Sequence, residues 1–234
     1  FLNMSDELSL LAVVVILFMA DLFCCGSENS TKPSKALSLI AVPLLLVQTV
    51  YMLVNMPADC VTAFGDMYLS APMMTVVKAV LNIGTVIVFL MANVWMNREE
   101  NQVKQGEFYL LTLFTLLGMY FMISSGHFLM FFIGLELASI PMTALVAFTK
   151  KNQESAEAAA KYILTALFSS GLLLYGISLL YGTCGTLYFN DMAAVMDASN
   201  WVQLAALVLF ISGIGFKISL VPFHLWTADT YEGA

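Results

Sequence analysis

Charged side chains are scarce in this sequence. They make up 11% of its 234 residues, against about 25% in a typical soluble domain, while 60% belong to the hydrophobic set. So few polar groups cannot coat a water-soluble globule. Lysine and arginine are rarer still, nine against sixteen aspartates and glutamates, and nothing in their placement suggests nucleic acid binding. The net charge of −7 mostly reflects acidic loops. Cysteine is equally sparse and carries no paired CxxC spacing. Cys24 and Cys25 are adjacent at a helix end, where they read as small packing residues, and a Cys60–Cys184 disulfide has no support in the sequence. The loops hold no phosphate-cradling glycine motif, no nucleophile with its base and no metal-ligand cluster, so neither a metal nor a cofactor is expected in this chain.

What is present is long apolar runs. About 18 or more residues with almost no charge can cross a bilayer core as helix. Seven such segments are read here, at about 8 to 24, 36 to 54, 72 to 96, 108 to 124, 127 to 148, 158 to 181 and 201 to 222. Lipid offers no partner for backbone N–H and C=O groups, and the alternation of barrel strands is missing, which leaves helix as the only state. The fold class is therefore all-α, a polytopic transmembrane helix bundle.

The basic residues set the expected orientation. Lys32, Lys35, Arg98, Lys104, Lys150 and Lys151 fall in the odd-numbered loops, whereas the even-numbered loops hold Asp59, Asp66, Asp191 and Asp197 and no lysine or arginine. By the positive-inside rule the odd loops face the cytoplasm and the amino terminus faces outward.

Three lysines lie outside the loops. Lys78, early in the third segment, reads as a residue snorkelling its ammonium into the outer headgroups. Lys161 stands four residues after Glu157 on one helix face, so an ion pair at a wet helix end and a functional role are equally open. Lys217 is harder to explain blandly. It falls roughly 24 Å along a straight seventh helix, within a hydrocarbon layer of about 30 Å. Gly213, Gly215 and Pro222 around it predict a broken helix. The matching acid is Glu136, near the midplane in "HFLMFFIGLELASIPM". Each such charge costs about 2.5–3.5 kcal/mol at a helix centre.

Chemistry at this pair would be proton handling. Desolvation weakens a lysine's hold on its proton and a nearby carboxylate strengthens it, so moving or neutralising Glu136 would release the proton of Lys217. An inward-facing Lys161 could compete for Glu136, and Thr165, Ser169 and Ser170 could hold bridging waters. His127 and His224 sit at opposite membrane ends and fit one haem poorly. His224 could relay protons onward or simply cap the helix end.

Three segments, "FFIGLELASIPMTALVAF", "EAAAKYILTALFSSGLLLYGISLLYGTCGT" and "GIGFKISLVPFHLWTADTYEGA", make the chain resemble a known family: the subunit N type of the proton-pumping NADH-quinone oxidoreductases, respiratory complex I. The resemblance implies an antiporter-like membrane-arm subunit whose proton-path residues are Glu136, Lys161 and Lys217. It implies residues 1–107 as three amino-terminal helices with loops. It further implies 108–234 as the proton-translocation module, four of the five helices of one inverted repeat. Family members often have proline where Ala228 stands. They have fourteen helices in all, so the chain reads as an amino-terminal portion of such a subunit. The resemblance also implies a bacterial inner membrane, other membrane-arm subunits as partners, and NADH, FMN, iron–sulfur clusters and quinone held by those partners. A structural scaffold, or a subunit of a related cation/proton antiporter complex, is the alternative.

Overall fold

The computed structural model describes residues 2–25, 35–96, 105–149, 152–197 and 199–234. Lys32, Arg98, Lys104, Lys150 and Lys151, with the side chains of Lys35, Cys24 and Cys25, lie outside the described residues, so the inner-loop charges carry the orientation only as a sequence reading. The seven apolar segments are helical: α1 (Ser5–Cys25), α2 (Lys35–Val54), α3 (Pro72–Met96), α4 (Gln105–Ile123), α5 (Phe128–Val146), α6 (Gln153–Cys184) and, after the short α7 (Phe189–Val195), α8 (Trp201–Lys217). A final helix, α9 (Leu225–Gly233), closes the chain. By length and composition α2 to α6 can cross a bilayer, whereas α8 is a shorter apolar helix of 17 residues. Helix α1 bears three acids, Asp6, Glu7 and Asp21.

Besides α9, two elements carry no apolar-run signal and were not expected. One is a hairpin of β1 (Val61–Ala63) and β2 (Tyr68–Ser70), paired antiparallel from Val61↔Ser70 to Ala63↔Tyr68. The other is α7. The seventh span also ends sooner than 222. Proline at 222 has no N–H for the carbonyl of residue 218 and crowds it, and α8 accordingly stops at Lys217 with Ile218 as its cap.

The chain forms two compact units, Phe1–Ser124 and Ser125–Ala234. In the first, α1 to α4 pack around apolar residues such as Leu10, Leu45, Met52, Phe89 and Leu113, all fully buried. Phe89 meets Tyr109 edge-on at 4.8 Å. This unit corrects the reading of Lys78, which does not snorkel. Its ammonium is 0% exposed and bonds Glu7 at 2.7 Å and Asp6 at 3.2 Å. Tyr68 on the hairpin donates to Glu7 at 2.6 Å, Ser124 to Glu7 at 2.9 Å and Thr75 to Asp6 at 3.2 Å. One turn deeper, Tyr120 donates to Asn82 at 2.5 Å, and Asn82 in turn donates to Gln48 and to Thr49.

In the second unit α6 and α8 approach through small residues, as helices in lipid must when packing alone draws them together. A Cβ on Gly176 would lie 2.8 Å from Ala206 O and Phe210 N, and one on Gly213 2.8 Å from Ser169 O and Leu173 Cβ. Helix α6 ends at Gly185, whose φ of 73° suits a residue without Cβ. Helix α9 folds back onto the start of α6, where Tyr162 meets Trp226 at 5.5 Å.

Candidate functional site

Each residue of the expected proton path lies in the second unit. Helix α5 carries Glu136 and, three residues on and so on the same face, Ser139. Helix α6 carries Lys161 and Ser170, and Lys217 is the last residue of α8. Lysine at that position is favoured by the unpaired carbonyls and negative pole of a helix C-terminus.

Glu136 and Lys217 meet. Nζ of Lys217 stands 3.4 Å from Glu136 Oε1, with side-chain exposures of 14% and 21%. Lys217 also donates to Ser139 Oγ at 2.9 Å, and Ser170 Oγ lies 2.5 Å from Glu136 Oε1. Sequence reasoning missed Ser139 altogether. The signal was its spacing of three from a buried glutamate. All three α6 hydroxyls expected to hold water bond carbonyls of their own helix, and Ser170 alone of them also touches Glu136. Thr165 and Ser169 nevertheless line, with Tyr162, Phe216, Lys217 and Trp226, a cavity of about 20 Å³, which is room for roughly one water.

Lys161 takes other partners. It bonds Glu157 and Asp229, each at 2.9 Å, with 42% of its side chain exposed. The expected competition for Glu136 is therefore not the arrangement found, since the carboxylates drawing Lys161 are those of its own helix and of α9. The Glu157 pair anticipated from the i,i+4 spacing is present. These groups border an open bowl of about 270 Å³ that also includes Glu154 and Glu232.

The backbone around Lys217 is irregular but well partnered. Leu220 N–H donates to Gly215 O at 2.8 Å, and the Trp226 indole donates to Phe216 O at 3.1 Å. Ser219 adopts φ 56° and its hydroxyl lies 2.5 Å from that of Thr227. Non-helical backbone at membrane depth is tolerated where protein satisfies it, and transporters place ion sites at such breaks.

The histidines lie apart from the pair. His127 caps α5, its Nδ1 accepting from Leu129 N–H at 3.1 Å while its ring meets Tyr188 edge-on at 4.7 Å. Burial lowers the proton affinity of its imidazole. His224 occupies the cap position of α9, is exposed, and makes no capping bond with its side chain. Cys60 and Cys184 are free thiols.

The site thus sets a charged pair at a broken helix beside hydroxyls and a water-sized void. Residues 125–234, just under half of the chain, match the family described as NADH:quinone oxidoreductase/Mrp antiporter, TM. The whole chain is 55% identical over 233 residues to NADH-quinone oxidoreductase subunit N of Phocaeicola vulgatus, covering 100% of this chain and 48% of the relative. It is 45% identical over 234 residues to the subunit N of Azobacteroides pseudotrichonymphae, again covering 100% of this chain and 48% of the relative. The chain thus spans about half the length of the curated relatives it matches. Among solved structures, a chain of respiratory complex I from Thermus thermophilus superimposes with a TM-score of 0.76 at 26% identity, over 97% of this chain and 47% of that one. A chain of the Mrp complex from Dietzia, 18% identical with a TM-score of 0.75 over 100% of this chain and 44% of that one, shares the fold. The protein is a predominantly helical membrane protein of antiporter-like architecture.

Proposed function

We propose that the chain is part of a membrane-arm subunit of a bacterial NADH-quinone oxidoreductase, and that it carries protons across the inner membrane while electron transfer proceeds in partner subunits. NADH, FMN, iron–sulfur clusters and quinone belong, on this reading, to those partners. Residues 108–234 are the translocation module, and the amino terminus faces outward. The observation that carries the proposal is the Glu136–Lys217 contact at 3.4 Å at the end of a broken helix.

In this mechanism Lys217 is the carrier and Glu136 the control. The carboxylate holds the ammonium form, and its neutralisation or withdrawal loosens that hold and releases the proton. Water in the cavity beside Thr165 and Ser169 receives it. Lys161, drawn by Asp229 and Glu157, is the next basic group along α6, and exposed His224 offers an imidazole on the cytoplasmic side. The related cation/proton antiporter reading keeps the same pair and changes only the ion. The scaffold reading makes the pair a static pin between helices.

Lys217→Ala separates them. Pumping should fall on the order of tenfold or more, with complex assembly retained, measured as proton uptake into vesicles alongside NADH oxidation. Normal pumping would remove Lys217 from the mechanism, and loss of assembly would favour the scaffold.

A further inference from the structure

Lys217 has two partners, and the nearer one is neutral. Ser139 Oγ lies at 2.9 Å and Glu136 Oε1 at 3.4 Å, whereas a closed ammonium–carboxylate contact measures about 2.7–2.9 Å. Lysine pairs elsewhere in this protein do close: Lys78 reaches Glu7 at 2.7 Å and Lys161 reaches Asp229 at 2.9 Å. Among the lysines whose side chains are described, only Lys217 has no carboxylate oxygen within 2.9 Å.

The hydrogens explain it. A serine hydroxyl has one hydrogen and two lone pairs. Ser139 gives its hydrogen to Leu135 O at 2.7 Å, which leaves only lone pairs toward the ammonium. Ser170 lies against the same Oε1 of Glu136 that Lys217 approaches, its single hydrogen within reach of both that oxygen and Ala166 O at 2.8 Å. Glu136 and Ser139 sit one turn apart on one face of α5, so the ammonium passes between them without moving its backbone.

We propose that Ser139 is a second station for the Lys217 ammonium: a fixed, uncharged acceptor that holds the cation whenever Glu136 is neutral or engaged by Ser170. The attraction of Glu136 depends on its charge, and that of Ser139 does not. The carrier thus stays aligned with the cavity through the whole cycle. Ser139 is a positioning residue, and its role rests on the proton-carrying reading of Lys217.

The test uses membranes containing the assembled complex, with protons pumped per NADH oxidised as the readout and complex content measured in parallel. Ser139→Ala should lower pumping about two- to threefold, with Ser139→Thr restoring it. Ser139→Cys keeps the size but offers an ammonium only a weak acceptor, and it should behave as alanine. The Glu136→Gln/Ser139→Ala double variant should fall below the product of the two single losses, because Lys217 then has neither station. A cysteine variant that pumps like wild type, a threonine variant no better than alanine, or a double variant equal to the product would each overturn the proposal. Normal pumping by Lys217→Ala would instead overturn the reading beneath it, so the two failures are told apart.

Discussion

Among the described residues, Lys78 of the first unit and Lys217 of the second each meet carboxylate with little or no exposure, and the two are built to opposite ends. Lys78 is sealed: 0% exposed, bonded to two carboxylates that Tyr68, Ser124 and Thr75 also bond. Its ammonium lies 5.7 and 5.3 Å from the ring centres of Tyr68 and Tyr120. Asp6 and Glu7 occupy the first turn of α1, where the positive pole of the helix offsets the charge that one lysine leaves uncompensated. Lys217 is loose by comparison. It ends its helix, stands 3.4 Å from its carboxylate and borders a water-sized void. A charge in an apolar segment is therefore not by itself a transport site. Slack in the pair and a void beside it are what set the proposed one apart.

The sharpest way to break this contrast is Lys78→Met. Removing one partner of a buried ion pair costs about 3–5 kcal/mol, because the other is left uncompensated. Assembled complex should fall steeply, as read by its content in membranes and its midpoint of loss on heating. A variant that assembled normally but failed to pump would reverse the roles of the two lysines. Gly213→Val comes next. With Ser169 O and Leu173 Cβ already 2.8 Å from its Cβ position, overpacking of about 1–3 kcal/mol is expected, seen as a lower heating midpoint. Because Gly213 holds α6 against α8, pumping should suffer as well. Tyr68→Phe removes the bond to Glu7 and should cost about 1–2 kcal/mol with pumping unchanged, as befits a sealed site. The smallest effect concerns pH. Burial lowers the proton affinity of His127, so its contribution to stability is full above the ordinary imidazole value and is lost as the pH falls below it. His127→Asn keeps the cap and should flatten the dependence of the heating midpoint between about pH 8 and 5.

The Glu136–Lys217 pair was more legible in the sequence than the sealed site, for a physical reason. Glu136 and Lys217 each interrupt an apolar run, and a charge in such a run is visible without knowing its neighbours. Lys78 lies near a segment end, as do Asp6 and Glu7, where a charge ordinarily reaches water. Only the packing of α1 against the rest of its unit, closed over by Tyr68 of the hairpin, converts that position into an interior. Helices α1 and α3 do place these residues at the outer ends in the orientation reading, so matching depth was the signal available. The helix break was foreseen, but five residues late, because the effect of Pro222 falls on the carbonyl four residues before it. The hairpin and α7 are too short for any hydrophobic period to announce them. Lys161 was correctly paired with Glu157 from local spacing, whereas Asp229, 68 residues away, could not be found that way.

Helix α9 grips both path lysines at once. Its Asp229 bonds Lys161 directly, and its Trp226 indole fastens the carbonyl of Phe216, the residue next to Lys217. Lys161 on α6 and the backbone beside Lys217 on α8 are thereby joined through one nine-residue helix.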